Sequence, residues 1–527
     1  MASTSYHYVV YDEPVIKKAS EEDLSWDPIL SLIRITPHLK DLIYDCKSQF
    51  PPSLLSTLHT QYPQCRLHHL TFRFRTLLWG VPYPYEMELA TSPLLYKAKL
   101  IFTFRDSDYD DDFNEDALIE LAAGLAPNLK EIITVCIMAY RSGSDYRVKE
   151  TWHGLPRSRD GTKGSLTSLS LQGVLSSSQW TLERWATHTD FKCLRYLDLG
   201  LERDYNSRAL NGETMEWLVQ NHSFPQLKTL KVSLDRDRTF HGRPNFSEDA
   251  VSFFESLEPL EQLSVHGAID EQTVDAILSR HGKTLQQLSL RPQESRYAED
   301  RDPHQEIPME FAKEHLIQIE AQCPILEDLS ITIKRDMSSP SETSMYRCFS
   351  KMKRLRSLFL TLDCSNLRVS RNPEYNPNFE GEDQQLVGRG PQKRGDLRQT
   401  LINCAVDETL ARSICYAINQ DKTGTQLEHL KIWTMGGCEY NSEPGVYCDS
   451  EILRNLGRSW LIERNPRDDR NDFIIRELGK HAEALKEKLT ESKLTESALG
   501  QVFRSIWPSR EGSKGWRHDW SSFPLRN

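Results

Sequence analysis

Two hydrophobic periodicities alternate along this chain. The first is a short phrase, Leu-x-x-Leu-x-(Leu/Ile/Val) with close variants. It begins at Leu39 (LKDLIY), Leu67 (LHHLTF), Leu129 (LKEIIT), Leu166 (LTSLSL), Leu194 (LRYLDL) and Leu227 (LKTLKV), then at Leu260 (LEQLSV), Leu285 (LQQLSL), Leu326 (LEDLSI), Leu355 (LRSLFL) and Leu427 (LEHLKI). Its last two apolar places are two residues apart, so they share one face of a short strand. Between phrases the apolar residues recur at three and four, as in TMEWLVQNH (214–222), AVSFFESL (250–257), TVDAILSRH (273–281) and EFAKEHLIQIEAQ (310–322). That is the spacing of a helix burying one face. Asn211, Ser247 and Asp270, each with acidic residues close behind, supply the side-chain acceptor and negative first turn that start a helix.

One unit is therefore strand, loop, helix, loop. Such a unit cannot bury its own apolar face, but stacked copies can. The fold class expected is α/β, a strand–helix solenoid with a parallel sheet. The pattern resembles the leucine-rich-repeat proteins over roughly residues 35–460, which implies a horseshoe. That family carries Asn or Cys at the ninth place of the phrase. Here the place holds Val174, Glu202, Asp235, Ala268, Gln293, Lys334, Asp363 and Met435, so irregular loops are expected.

The array has breaks. A further rung is expected at LIFTFR (100–105). Residues 372–395, rich in Asn, Pro, Gly and charge, read as a flexible insertion. The domains expected are an N-terminal extension (1–30), a solenoid (31–460) with an insertion at 368–398, and a C-terminal region (461–527). In that last region WLIERNPRDD reads as a strand and turn. Residues 476–506 read as a charged amphipathic helix, and Trp507, Trp516 and Trp520 as a cap over the last core face.

Charge narrows the partners. The 527 residues carry 65 Lys and Arg against 76 Asp and Glu, a net charge of −11. Neither nucleic acid nor an anionic membrane surface is expected as a partner. The first residues lack the basic and apolar runs of a secretory leader, and no apolar stretch is long enough to span a bilayer. Eleven cysteines without a C-x-x-C pair suggest reduced thiols in the cytoplasm or nucleus.

Candidate chemistry is sparse. DSDYDDDFNEDA (106–117) places Asp106, Asp108 and Asp110 like a calcium loop, but Asp111 and Ala117 stand where Gly and Glu are required. It reads better as an acidic loop feeding a helix. His68 and His69 have no spaced partners, and Cys438 with Cys448 alone does not make a zinc site. No catalytic residue, metal or cofactor is expected.

The phrase itself points to a surface. If its fourth and sixth places face the core, the third, fifth and seventh face the concave side. Ser recurs at the fifth place in the middle of the array (Ser170, Ser264, Ser289, Ser330), and aromatic residues gather toward its end. The candidate partner-binding residues are Tyr196, His266, Arg291, Phe359, His429 and Trp433, since aromatic and Arg side chains in a concavity anchor protein interfaces. The insertion is the other group expected to cover Phe359 and Trp433.

Residues 39–72, TLDCSNL (361–367), AVDETLARSICYAI (405–418), RSWLIERNPRDD (458–469) and WRHDWSSFPL (516–525) resemble a large group of filamentous-fungal F-box proteins with degenerate leucine-rich repeats. That resemblance implies the substrate-recognition half of a cullin-type ubiquitin ligase receptor, a non-catalytic scaffold for an unknown protein. Residues 1–28 contain no F-box pattern. The Skp adaptor and cullin are therefore expected as partners only of a longer form, and an adaptor site in this chain would have to lie in residues 24–46. The alternatives are an enzyme regulator of the GTPase-activating repeat type, or an enzyme with an unrecognised site.

Overall fold

The computed structural model describes the chain except residues 1–15, 76, 78–81, 83, 104–110, 138–150, 157–161, 174–177, 201–208, 237–244, 294–306, 373, 388–390, 438–446, 466–472 and 480–493, and the side chains of 447–450. Asp106, Asp108, Asp110, Val174, Glu202 and Cys438 lie outside the described residues, as does the Cys448 side chain. The chain forms two units, residues 1–260 and 261–527.

In the first unit seven strands follow one another in chain order, each parallel to the next: β1 (Asp41–Tyr44), β2 (Arg66–His69), β3 (Leu95–Phe102), β4 (Glu131–Cys136), β5 (Ser168–Gly173), β6 (Tyr196–Asp198) and β7 (Thr229–Leu234). Helices stand before and between them: α1 (Glu21–Leu24), α2 (Asp27–Arg34), α3 (Pro52–Gln61), α4 (Pro84–Ala90), α5 (Asn114–Glu120), α6 (Gln179–His188) and α7 (Gly212–Asn221), with α8 (Phe246–Ser256) after β7. The fourth places of the phrase lie in one row, Ile132 beside Leu169, Leu197 and Leu230, and all four are buried. This row is what stacking buries, and it makes the unit a leucine-rich-repeat-like solenoid.

Two rungs sit elsewhere than the pattern indicated. Leu67 pairs with Leu42, so it occupies a fourth place and not a first. The next apolar place falls to His69, which is buried, and a histidine there masks the phrase. The expected rung at 100–105 is instead Leu95–Phe102, with Ala98 beside Ile132. A small Ala in a Leu place hid it. At the end of β5, Gly173 has φ +85°, and a Cβ there would meet the Cys136 carbonyl oxygen at 2.0 Å, so only glycine fits the turn.

The second unit contains β8 (Gln262–Gly267), β9 (Gln287–Pro292), β10 (Asp328–Lys334), β11 (Ser357–Asp363) and β12 (His429–Met435), parallel and in chain order. Leu263, Leu288, Leu329, Leu358 and Leu430 form their fourth-place row, and all five are buried. Then the direction reverses. β13 (Trp460–Arg464) pairs antiparallel with β12, and β14 (Phe473–Glu477) antiparallel with β13. The start of the expected 476–506 helix is thus strand. The connection from β13 to β14, residues 465–472, is too short for the crossover of a dozen or more residues that a parallel rung needs, whereas the reversal from β12 to β13 comes after the helix Tyr447–Leu456.

The helices of this unit are α9 (Glu271–His281), α10 (Lys313–Gln322), α11 (Pro340–Cys348), α12 (Arg368–Arg371), α13 (Arg394–Cys404), α14 (Glu408–Asn419), α15 (Tyr447–Leu456) and α16 (Ala498–Ile506). Asp270 and Asn211 cap α9 and α7 as expected, each accepting from the backbone N–H three residues on. Ser247 does not cap α8, which begins one residue earlier with Asn245 at its cap. Asp270→Ala is expected to cost about 1 kcal/mol in urea denaturation. Wild-type stability in that variant would show that the cap contributes nothing.

Stretch 368–398 forms no rung. It contains α12, a 3-10 turn (Gly381–Gln384) and the start of α13. It is tied down by Arg368 to Glu310 (2.8 Å), Arg398 to Asp383 (2.9 Å) and the Tyr375 hydroxyl to Asp396 (3.2 Å). The tryptophan tail joins a buried cluster with α13, α15 and α16, where Trp507, Trp516 and Trp520 meet Leu401, Cys404, Leu453 and Phe503. It then runs on past α14 and α11, with Ser522 donating to Asp407 and Ser338 donating to the Phe523 carbonyl at 3.0 Å. The tail is a strap along the helices.

Candidate functional site

The odd places of the phrase occupy the sheet face opposite the buried row, but they are not equally accessible. Ser170, Asp198, Ser233 and Thr361 are buried among their neighbours, while Arg291, Phe359, Lys431 and Trp433 are half-buried and His429 is exposed.

The first unit holds one of the six candidates. The Tyr196 hydroxyl donates to Asp198 Oδ2 at 3.3 Å, and Lys231 Nζ lies 5.4 Å from the Tyr196 ring. Asp198 also accepts from Ser170, Gln172 and the Gly200 N–H. Burial, and then the Asp198 charge, push the Tyr196 phenol above its ordinary value. Tyr196 is a member of an internally satisfied polar cluster.

In the second unit, three candidates come together. Arg291 stands at the seventh place of β9, beside His266 of β8. Its side chain crosses the whole of β10. The crossing is open because the fifth place of β10 is a small Ser330, whose Oγ accepts from Arg291 Nη2 at 3.4 Å. The guanidinium carbon then lies 4.5 Å from the centre of the Phe359 ring on β11. From β12, Lys431 Nζ approaches the same ring at 4.5 Å and the Trp433 ring at 5.7 Å. The order across the sheet is cation, ring, cation, ring. Each ring offers its negative face to a charge, an attraction of about 0.5–2 kcal/mol that grows with desolvation.

The electrostatics are uneven. Burial lowers the Arg291 pKa. Burial, and then the Arg291 charge, lower that of Lys431. Arg291 Nε is buried without a hydrogen-bond partner. Asp363 pairs with Lys334, Glu310 with Arg368, and Glu463 with Arg476, while Asp328 shares the face of Ser330 on β10.

His429 stands apart, with its Nδ1 3.7 Å from Glu463, a neighbour supplied by the antiparallel β13. Lys431 and Ser330 lie on the face that the phrase indicated but were not among the six candidates. Both sit at fifth places, so the signal was their register with Phe359 and not their type. The ninth place yields a second unforeseen contact. Lys334 Nζ donates to Asp363 Oδ2 at 2.9 Å and to Ser365 Oγ at 3.3 Å, so a charged bridge joins these two rungs.

Elsewhere, Leu24, Ile29, Leu32, Ile35 and Ile43 are exposed on and near α2 and β1. Asp112, from the acidic run, is buried and pairs with Arg73 at 3.2 Å. Asn114 opens α5, and Glu115 and Asp116 pair with Arg184. Among the described residues no group of three His, Cys, Asp or Glu is placed to hold a metal ion, and no helix is long and apolar enough to cross a membrane.

No family model matches the chain, and no curated protein matches it. Among solved structures it is similar to the leucine-rich repeat-containing protein LegL7 from Legionella pneumophila. The two are 11% identical, the match covers 79% of this chain and 97% of that one, and the TM-score is 0.30.

Proposed function

We propose that the chain is a non-catalytic protein-interaction scaffold whose partner docks on the sheet face of β9 to β12, over Arg291, Phe359, Lys431 and Trp433. The observation that carries this reading is the run of two half-buried aromatic rings interleaved with two cations. Aromatic and Arg side chains that are partly desolvated before binding are the usual anchors of an interface.

The test is affinity capture from the source cells with wild type, Phe359→Ala and Trp433→Ala, followed by titration of the captured partner. Trp433→Ala is expected to weaken binding by about 2 kcal/mol or more with the melting temperature unchanged. A lower melting temperature with unchanged affinity would assign the ring to intramolecular packing instead.

The finer reading is a ubiquitin ligase substrate receptor. It is supported by the resemblance of residues 39–72, 405–418 and 516–525 to fungal F-box repeat proteins. The exposed apolar side chains Leu24, Ile29, Leu32, Ile35 and Ile43 fall within or beside the stretch where an adaptor contact would have to lie. Co-elution of the Skp adaptor and cullin with this chain, lost in a Leu32→Asp/Ile35→Asp variant, is the supporting result. Their absence, which the lack of an F-box pattern in residues 1–28 leads one to expect of this chain, would remove a direct adaptor contact at residues 24–46 and leave the scaffold reading standing.

A further inference from the structure

Three features of the second unit converge on one kind of ligand. Arg291 and Lys431 approach one ring, each 4.5 Å from its centre. Two like charges that close repel each other, and both are partly withdrawn from water, so the pair is held at a cost. The one carboxylate at an odd place of β10, Asp328, is half-buried and forms no ion pair with either cation. Neither cation has a carboxylate partner among the described residues. Arg291 makes one long hydrogen bond, 3.4 Å to a neutral serine, and its Nε has no partner. Arg presents five N–H donors in a planar fork and accepts nothing, so most of its donor capacity is unspent. Asp363, Glu310 and Glu463 pair instead with Lys334, Arg368 and Arg476.

An arriving carboxylate would supply what is missing. It would take charge-assisted hydrogen bonds from the guanidinium and the ammonium at about 2.7–2.9 Å, relieve the repulsion between them, and place its methylene stem against Phe359 or Trp433. We propose that Arg291 and Lys431 form the charge-reading centre of the partner surface, and that the partner is a protein segment bearing an Asp or Glu carboxylate between apolar or neutral residues. This deepens the scaffold reading of the same face and rests on it. A single-stranded nucleic acid is the weaker fit. The Phe359 ring already serves two cations and is not a free stacking platform, and a phosphate at every nucleotide would be repelled along its length by a chain of net charge −11.

The experiment reads Lys431 directly. The full chain is acetylated briefly with acetic anhydride at pH 8, and labelling of Lys431 is quantified by mass spectrometry against the exposed Lys353 in the same digest. The probes are a capped hexapeptide with one Glu among Ala residues (the Glu peptide), the same peptide with Gln in its place (the Gln peptide), the same peptide with phosphoserine in its place, and hexauridylate. The Glu peptide at about twice its dissociation constant is expected to slow Lys431 acetylation about threefold relative to Lys353, while the Gln peptide leaves it unchanged. Arg291→Gln, checked for an unchanged melting temperature, is expected to abolish the protection. If that variant melts early, Arg291→Lys takes its place and is expected to keep part of the protection.

No protection by the Glu peptide at any concentration overturns the proposal. So does protection by the Gln peptide, or protection by only the phosphopeptide or only hexauridylate. The two readings fail separately: a partner that depends on Trp433 while the Glu peptide gives no protection would leave the interface standing and remove its acidic ligand.

Discussion

Glu342→Gln should destabilise the protein by about 3–5 kcal/mol, far more than the change in shape would suggest. Both Arg335 and Glu342 are fully buried and paired. One Glu342 oxygen also accepts from the Tyr346 hydroxyl at 2.7 Å, and the other from the Asp336 and Ser338 N–H groups at 2.8 and 2.9 Å. Those N–H groups belong to a turn in which Met337 and Ser338 both have positive φ, 50° and 58°, a conformation that costs energy for non-glycine residues. The carboxylate thus holds a cation and a strained turn together. Glutamine keeps one acceptor but turns an NH2 toward donors, and it leaves the Arg335 charge in the interior without compensation. Adding Arg335→Met should recover part of the loss, because the orphaned charge goes with it. Urea denaturation of the two single variants and the double variant measures this coupling. A Glu342→Gln loss below about 0.5 kcal/mol would put the pair outside the stabilising core.

That network was not legible in the sequence, for a definite reason. Arg335 follows the last strand place of its phrase and Glu342 lies inside α11, so no periodicity links them, and Asn403, which bonds the same turn, is 66 residues from Met337. What the sequence did disclose was periodic. The rows Ile132–Leu169–Leu197–Leu230 and Leu263–Leu288–Leu329–Leu358–Leu430 follow from the phrase, because stacking repeats must align the same place of each copy. Where one residue in the phrase changed class, as with His69 and Ala98, the rung was misplaced by a few residues.

The site was partly legible on the same grounds. Period 2 put Arg291, Phe359 and Trp433 on one face. It could not show that Arg291 spans two strands to reach Phe359, because that depends on Ser330 being too small to block it. Nor could it show that β13 would run backward and bring Glu463 to His429. A linear pattern specifies which face a side chain leaves from. How far the side chain travels along that face is set by the sizes of its neighbours on other strands.

His69 leads to the second large effect. Its ring packs against Tyr44, Phe50 and Phe72 at 5.0, 5.8 and 5.6 Å, and its Nδ1 accepts from the Thr71 N–H at 3.3 Å, which fixes the neutral ring with its proton on Nε2. Burial, and then the positive charge of Arg75, lower its pKa from 6.5 to about 3. Protonation therefore favours the unfolded chain. The stability that the neutral ring contributes is fully present above about pH 6.5 and is lost as the pH falls toward about 3. At up to about 1.4 kcal/mol per pH unit, the loss between pH 6 and pH 4 is about 2.5 kcal/mol.

His69→Phe keeps an aromatic ring in the cluster and removes the titration. It also removes the acceptor for Thr71, which should lower stability by a similar amount at every pH. The slopes are therefore what matter. Urea denaturation of the two proteins at pH 6, 5 and 4 should show the wild type losing about 2.5 kcal/mol more than the variant over that range. Carboxylates elsewhere titrate in both proteins and cancel in the difference. Parallel curves would mean that His69 is protonated in the folded state, and that the ring cluster around it admits water.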